Sequence, residues 1–540
     1  MRVTRRQLLG GAATFGLFGA IAGPGAGAAQ AAGPQYPFLV PELYRPIPDA
    51  PDHSEALVIG TGFGASITAA RLASSGVSVT MLERGSKWPT SSWRPIFAND
   101  ALPDGRAYWR SRGVPPLTGA PTVPTDSYGG VLEVTTHGTL SVWRGSLVGG
   151  GSMVFTGVMI QPEQRHFEDL FGSTVPFEEM NSTYYPRVRN RLNLSTLPTK
   201  LYESRPFTHS RIWDADARKA GYSPKKIEGL WNWDTVAKEL RGASRPSAIK
   251  GESNLGNANG AKFDLNQNYL LDAQATGRCK IYARHEVTSV SRAADGRYVV
   301  TIDKLDPAAR VLKSRTLTCD RLFLGAGSMG TSELLVKAKA TGALPNLNEH
   351  VGKGWGNNGD AALVRGLTTA GNGLVQAAPS ASMISDSQSL PVTLENWYVP
   401  GLPLDMSLIG SLGMVMDPTR GEFVFNSKTS KTELIWPDNG NANVVAALRA
   451  VHNRIAAAAG TGVGFPLAGV PDVNASFTAH PLGGVVIGKA TDDYGRVRGY
   501  DGLYVVDGAL IPGSTGAVNP SLTISALAER NIEQIIAAKG

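Results

Sequence analysis

One four-residue hydrophobic run in this chain, Ala56-Leu57-Val58-Ile59, shows no polar alternation. A short apolar run closed by glycine reads as a strand buried on both faces. Gly60-Thr61-Gly62-Phe63-Gly64-Ala65 follows and opens a helix, and Val79-Thr80-Met81-Leu82 gives a second buried strand that ends at Glu83. Further along, Lys280-Ile281-Tyr282-Ala283 and Val287-Thr288-Ser289-Val290 read as strands. Asp295-Gly296 before Tyr298-Val299-Val300-Thr301-Ile302 is a hairpin signal. Leu322-Phe323-Leu324 runs into Gly325-Ala326-Gly327-Ser328, and Leu503-Tyr504-Val505-Val506 runs into Asp507-Gly508, each a buried strand before a turn. The stretch 360–436, including Glu422-Phe423-Val424-Phe425, alternates enough for antiparallel strands. Helices are predicted near 183–192, 213–220, 443–459 and 520–538. No internal repeat is visible.

The glycine turn at the first strand fits a dinucleotide. Gly60 allows the tight turn, Gly62 lets backbone approach a pyrophosphate, and the small Ala65 lets helix and sheet pack closely. The helix N-terminus offers free N–H groups and a positive dipole end. Glu83, 23 residues beyond Gly60, is placed to accept from a ribose hydroxyl. This stretch alone leaves NAD and FAD both open. The later strands before Gly325 and Gly508 look like members of the same sheet. The fold class predicted is therefore α/β, with a Rossmann-like domain assembled from separated segments (50–172, 275–345 and 475–540). An α+β substrate domain with an antiparallel sheet takes 173–274 and 346–474.

At 540 residues the chain needs more than one domain. Its composition, 42% apolar and 18% charged, is that of a soluble globular protein. The formal net charge is +7, with no run of five like charges, so nucleic-acid binding is not supported. Thr4-Arg5-Arg6-Gln7-Leu8-Leu9 is a twin-arginine pattern, followed by an apolar stretch from Leu8 to about Ala22 and a small-x-small site at Ala29-Gln30-Ala31. That stretch is short of the roughly 20 residues that cross a bilayer. We expect residues 1–31 to be a leader and the mature protein to be exported, folded, with a tightly held cofactor. This favours FAD over exchangeable NAD. Cys279 and Cys319 are too few for a metal cluster, and no metal is expected; the pair reads as buried thiols or as one bridge.

The C-terminal third adds chemistry. Asn519-Pro520 reads as an N-cap and first position of a helix whose N-terminus could face a flavin ring. His480, in Ala479-His480-Pro481-Leu482-Gly483-Gly484, could orient an alcohol or take its proton as hydride leaves carbon. Together with Gly149-Gly150-Gly151-Ser152 and Gly325-Ala326-Gly327-Ser328, these motifs occur in the order of the glucose–methanol–choline (GMC) oxidoreductases, which the chain resembles over nearly all its mature length. The resemblance is strongest to bacterial sterol oxidases, at His480–Gly484, Gly488–Val497 and Thr523–Asn531.

The resemblance implies non-covalent FAD, oxidation of a sterol 3β-hydroxyl by oxygen, and a shift of the 5,6 double bond to give a 4-en-3-one. It implies that Gly60, Gly62, Phe63, Gly64, Ala65 and Glu83 hold the adenine half of FAD, with Val287 and Gly325 nearby. Gly150, Gly151, Phe155, Thr156 and Val158 would line the flavin, as would Asp507 and Gly508. His480 would bind the hydroxyl, Asn519 would steady hydroxyl and flavin, and Glu395 would carry the proton of the isomerisation. A sterol substrate implies transient contact with a membrane surface, and the Trp- and Pro-rich stretch from Trp88 to Pro124 is a candidate lid. A monomer is expected. The chain departs from its relatives where chemistry is expected: Phe155-Thr156-Gly157-Val158 replaces Asn-Gly-Gly-Met, Ala479 replaces tyrosine, Thr393 replaces an aromatic, and 514–518 is one residue longer. These changes favour an alternative, oxidation or dehydrogenation of another hydrophobic alcohol without isomerisation. A flavin-carrying binding protein without turnover is the remaining alternative.

Overall fold

A computed structural model describes residues 36–114, 122–366, 376–401, 407–461, 465–466 and 476–538. The expected leader lies outside the described residues. Among those described, no helix is long and apolar enough to cross a membrane.

A seven-stranded sheet forms the centre of the molecule. Its order is Cys279–Tyr282, Val79–Leu82, His53–Ile59, Val311–Leu324, Tyr298–Leu305, His285–Arg292, with Leu503–Val505 also paired to Val311–Leu324. The strand His53–Ile59 is parallel to both its neighbours, and its apolar run Ala56–Ile59 is buried, as a central parallel strand requires. Val311–Leu324 serves two partners. Its first part pairs antiparallel with Tyr298–Leu305, and Leu322–Leu324 pairs in parallel with Leu503–Val505. The mixed α/β architecture and the assembly of this sheet from distant segments follow the predicted class.

The helix Phe63–Ser74 is buried on nearly every side. It lies between the sheet and the C-terminal helix Ser521–Ala537, so it needs no polar face. That last helix begins later than predicted. Pro520 is its N-cap, no side chain caps it, and Asn519 stands outside it with its side chain turned elsewhere.

A second, six-stranded sheet runs Phe465–Pro466, Ala361–Gly366, Leu408–Val415, Val392–Trp397, Ser382–Asp386, Lys225–Lys226, all antiparallel. The helices Thr208–Lys219 and Ala442–Ala458 cover one face through Trp213, Leu394, Val444 and Leu448. Alternation along Val392–Trp397 turns Thr393, Glu395 and Trp397 to the other face, and cross-strand Leu412 stands opposite Glu395. A three-stranded sheet joins Leu132–His137, Leu140–Gly145 and Ser476–Thr478, fixing the approach of the chain to His480.

One expectation changes here, and one open choice is decided. Trp88, Phe97 and Tyr108 are buried in a hydrophobic cluster with Tyr36 and Val131. Trp88, Phe97 and Tyr108 thus serve as core and make this part of the stretch a packed wall and not a lid, whereas Trp93 is exposed; 115–121 lie outside the described residues. Cys279 and Cys319 are buried, free thiols on strands with two others between them, which separates them too far for a disulfide.

Candidate active site

The ends of the parallel strands open onto a cavity of about 860 Å³. Open α/β sheets place ligands at this edge. Gly60, Gly62, Phe63, Gly64, Glu83, Val287 and Gly325 line one end. Asp507 backs the same end, its Cα 3.3 Å from a Cβ placed on Gly64, and Gly150, Gly151, Phe155, Thr156, Gly508, His480 and Asn519 line the rest. Three predicted residues stand behind the wall. Ala65 packs under Gly325, Val158 is buried against Val518, and Glu395 lies one layer beneath the surface.

The cradle end is built from close backbone approaches. A Cβ on Gly60 would lie 2.1 Å from the Gly325 carbonyl oxygen, and one on Gly64 would lie 1.6 Å from that of Val506. Gly62 has nothing within 4 Å of its Cβ position, so the space beside it is open. Thr61, which sequence reasoning passed over, ties the turn together. Its hydroxyl donates to Glu83 Oε2 at 2.7 Å and accepts from the Gly149 N–H at 3.0 Å. Glu83 Oε1 accepts from the Gly85 N–H at 2.9 Å. Burial pushes the Glu83 carboxyl up, and these donors work against that. Asp507 is pushed up to about 6 by burial, while the Thr331 hydroxyl and the Ala509 N–H favour its charged form.

The middle of the cavity holds the unusual turn. Phe155 meets Phe63 edge to face at 5.6 Å. Beneath Phe155 lies Lys262, a residue no motif pointed to. It is buried, its ammonium donates to the carbonyls of Ser253 at 2.8 Å and Met153 at 3.1 Å, and it faces the rings of Phe155 and Trp231 at 5.7 and 5.8 Å. Burial brings its pKa down to about 7.

At the far end, His480 Nδ1 lies 2.9 Å from Asp360 Oδ1. Asp360 is fully buried, and its other oxygen accepts from the Thr478 hydroxyl at 2.7 Å and the Ala479 N–H at 3.2 Å. Asp360 is 120 residues from His480 and carries no motif, so no local pattern points to it. Asn519 is buried at the cavity wall with its Oδ1 unpartnered. Neither oxygen of Glu395 has a partner at ordinary hydrogen-bond distance. Burial pushes this carboxyl up to about 8, and the nearby Asn519 side chain opposes the shift. A carboxyl in that condition can hold or release a proton near neutral pH.

Comparison with known proteins agrees with this architecture. Residues 428–528 match the GMC oxidoreductase family. Cholesterol oxidase of Acinetobacter baumannii is 24% identical, covering 89% of this chain and 94% of its own. Cholesterol oxidase of Mycobacterium tuberculosis is 26% identical, covering 89% and 90%. Among solved structures, pyridoxine 4-oxidase from Mesorbium loti superposes with a TM-score of 0.60 at 15% identity, over 90% of this chain and 99% of that one. A fungal aryl-alcohol oxidase gives 0.59 at 14%, over 91% and 100%. Through this C-terminal match and its likeness to cholesterol oxidases the chain resembles the GMC oxidoreductases, a family of flavin-dependent enzymes. Its relatives over most of its length include cholesterol oxidases.

Proposed function

We propose that this enzyme oxidises the 3β-hydroxyl of a sterol with oxygen, giving hydrogen peroxide and a ketone, and that it moves the 5,6 double bond to form the 4-en-3-one. The observation that carries this reading is that His480 and Asn519 line the same cavity as the glycine cradle. FAD fits the residues present. The open space at Gly62 and Gly151 suits a pyrophosphate and a flavin edge, and Glu83 suits the ribose. Gly60, Gly64 and Ala65 would hold the turn, Val287 and Gly325 the adenine end, and Gly150, Phe155, Thr156, Val158, Asp507 and Gly508 the flavin end. Bound there, FAD supplies the hydride acceptor.

The protein's own part is binding, orientation and proton movement. His480 accepts the hydroxyl proton at Nε2 as the carbon loses hydride. Asn519, on the wall of the same cavity, orients the hydroxyl. Trp397, Leu412 and Phe477 give an apolar wall for a ring system. Glu395, on the same sheet face as Trp397 and Leu412, would take a proton from one ring carbon and return it to another. The twin-arginine leader supports export of the folded protein, and an insoluble sterol implies transient contact with a membrane surface.

A second reading is oxidation of another hydrophobic alcohol without isomerisation. Glu395 favours it, because its carboxyl is closed off from the cavity. Incubation of the flavin-loaded enzyme with cholesterol separates the two. Peroxide together with a conjugated enone is expected. Peroxide with an unconjugated ketone leaves only the oxidase step, and neither product overturns the sterol reading.

A further inference from the structure

We infer that Asp360 is a positioning residue that fixes the tautomer of His480, so that Nε2 is held as a proton acceptor; this rests on the assignment of His480 as the base. The turn that carries Asp360 is built for rigidity. Gly356 exchanges backbone hydrogen bonds with Leu482, its N–H donating at 2.8 Å and its carbonyl accepting at 3.0 Å. The histidine segment is thereby fastened to the turn two residues past His480. Asn358, in the left-handed region at φ 58°, donates from Nδ2 to the Val518 carbonyl at 2.9 Å and accepts from the Thr515 N–H at 2.9 Å. One turn therefore braces both His480 and the loop that leads to Asn519.

Within this frame the Asp360 carboxylate can only accept, so the facing Nδ1 of His480 carries the hydrogen. The remaining ring nitrogen, Nε2, keeps its lone pair. When that lone pair takes the alcohol proton, the ring becomes positive 2.9 Å from a fully buried carboxylate, and the hydrogen bond between them becomes charge-assisted. The other oxygen of Asp360 is occupied by two donors, the Thr478 hydroxyl and the Ala479 N–H. These donors make Asp360→Asn an informative change. Its carbonyl oxygen must face Thr478 and Ala479, which leaves the amide N–H pointing at Nδ1. Nδ1 then has to accept, the hydrogen moves to Nε2, and the ring can no longer receive a proton there.

The test uses the flavin-loaded full chain with Asp360→Asn, His480→Ala and the double variant, with cholesterol as the probe, and the same proteins labelled with 15N-histidine. As for a carboxylate-to-amide change behind a catalytic histidine, kcat should fall on the order of 10³- to 10⁴-fold in Asp360→Asn with KM and the flavin band retained. In the His480→Ala background Asp360→Asn should change nothing further, because it acts only through the ring. The 15N spectrum should show a protonated Nδ1 in the wild type and a protonated Nε2 in Asp360→Asn. A wild type protonated at Nε2, or an Asp360→Asn variant with an unchanged tautomer, overturns the inference. So does a kcat within tenfold of wild type for Asp360→Asn when His480→Ala is inactive. Full activity in His480→Ala instead overturns the assignment of the base, and the spectrum still decides the role of Asp360.

Discussion

The two ends of the cavity are held together in different ways. The cradle around Gly60–Ala65 rests on close backbone approaches at Gly60 and Gly64, where no side chain fits, tied by the Thr61 hydroxyl. The corner around His480 is side chain against side chain, with Asp360 and Asn519 brought in from distant segments. Changes in the cradle should therefore remove the cofactor or the fold, whereas changes in the corner should remove chemistry and leave the cofactor in place. The largest effect is expected at Gly64. In Gly64→Val the new Cβ meets the Val506 carbonyl, a backbone atom that cannot turn aside. No soluble flavin-loaded protein should be recovered. Gly62→Ala is the control, since its Cβ meets nothing and its φ of −73° suits alanine. It should fold with an unchanged apoprotein Tm and take up less flavin, measured as absorbance near 450 nm per mole of protein. Equal flavin content in Gly62→Ala and wild type would show that the ligand does not approach this turn.

His480→Ala is the mirror experiment. It should keep the flavin and lose about 10³-fold in kcat, within the range of a lost general base. If the flavin is lost along with the activity, the two ends are not separable and the contrast fails.

Glu395 sharpens the corner further, because two readouts separate its roles. Glu395→Gln should still release peroxide from cholesterol at a rate within a few-fold of wild type, and the unconjugated ketone should accumulate. Its second readout is stability. The wild-type carboxyl has a folded pKa of about 8, above that of the unfolded chain. The folded protein keeps a proton that the unfolded chain releases, so the stabilisation from this group is complete at acid pH and is lost as pH rises through about 8. Between pH 5 and 8 the wild type should lose stability relative to Glu395→Gln, by on the order of a few kcal/mol at most. Parallel Tm profiles for the two proteins would show that the carboxyl is not desolvated.

The same contrast governs how much could be read from the sequence. The cradle was legible because its information is local: a strand, glycines at fixed spacing and an acid at one distance all fall between residues 56 and 83. His480 and Asn519 stood out through their flanking prolines and glycines, although the N-cap reading of Asn519 fails, since Pro520 takes that position and the asparagine faces the cavity instead. Glu395 was reachable only by family resemblance, because one glutamate in an alternating strand carries no pattern of its own. Asp360 and Lys262 were invisible for a physical reason. Their significance comes from burial and from partners that include residues more than 100 positions away, and neither property leaves a periodic trace.

Lys262 offers the smallest and most specific test. It lies under Phe155, in the stretch where this chain departs from its relatives, with two carbonyls and two aromatic rings as its partners. Burial lowers its folded pKa to about 7, below that of the unfolded chain. Between about pH 7 and the ordinary lysine range, the unfolded chain holds a proton that the folded protein has already released. The wild type should therefore gain stability as pH rises through that window and lose it again as pH falls to about 7. Lys262→Met keeps the length of the side chain and removes the titration, so its Tm should lack this rise. The gap between the two proteins should be a few degrees and should change with pH from 7 to 10, while flavin content stays constant. A gap that does not vary with pH would mean that the lysine keeps its charge in the core, stabilised by the Phe155 and Trp231 rings and the two carbonyls. The turn beside the cavity would then carry a permanent positive charge, a different electrostatic setting from the glycine cradle next to it.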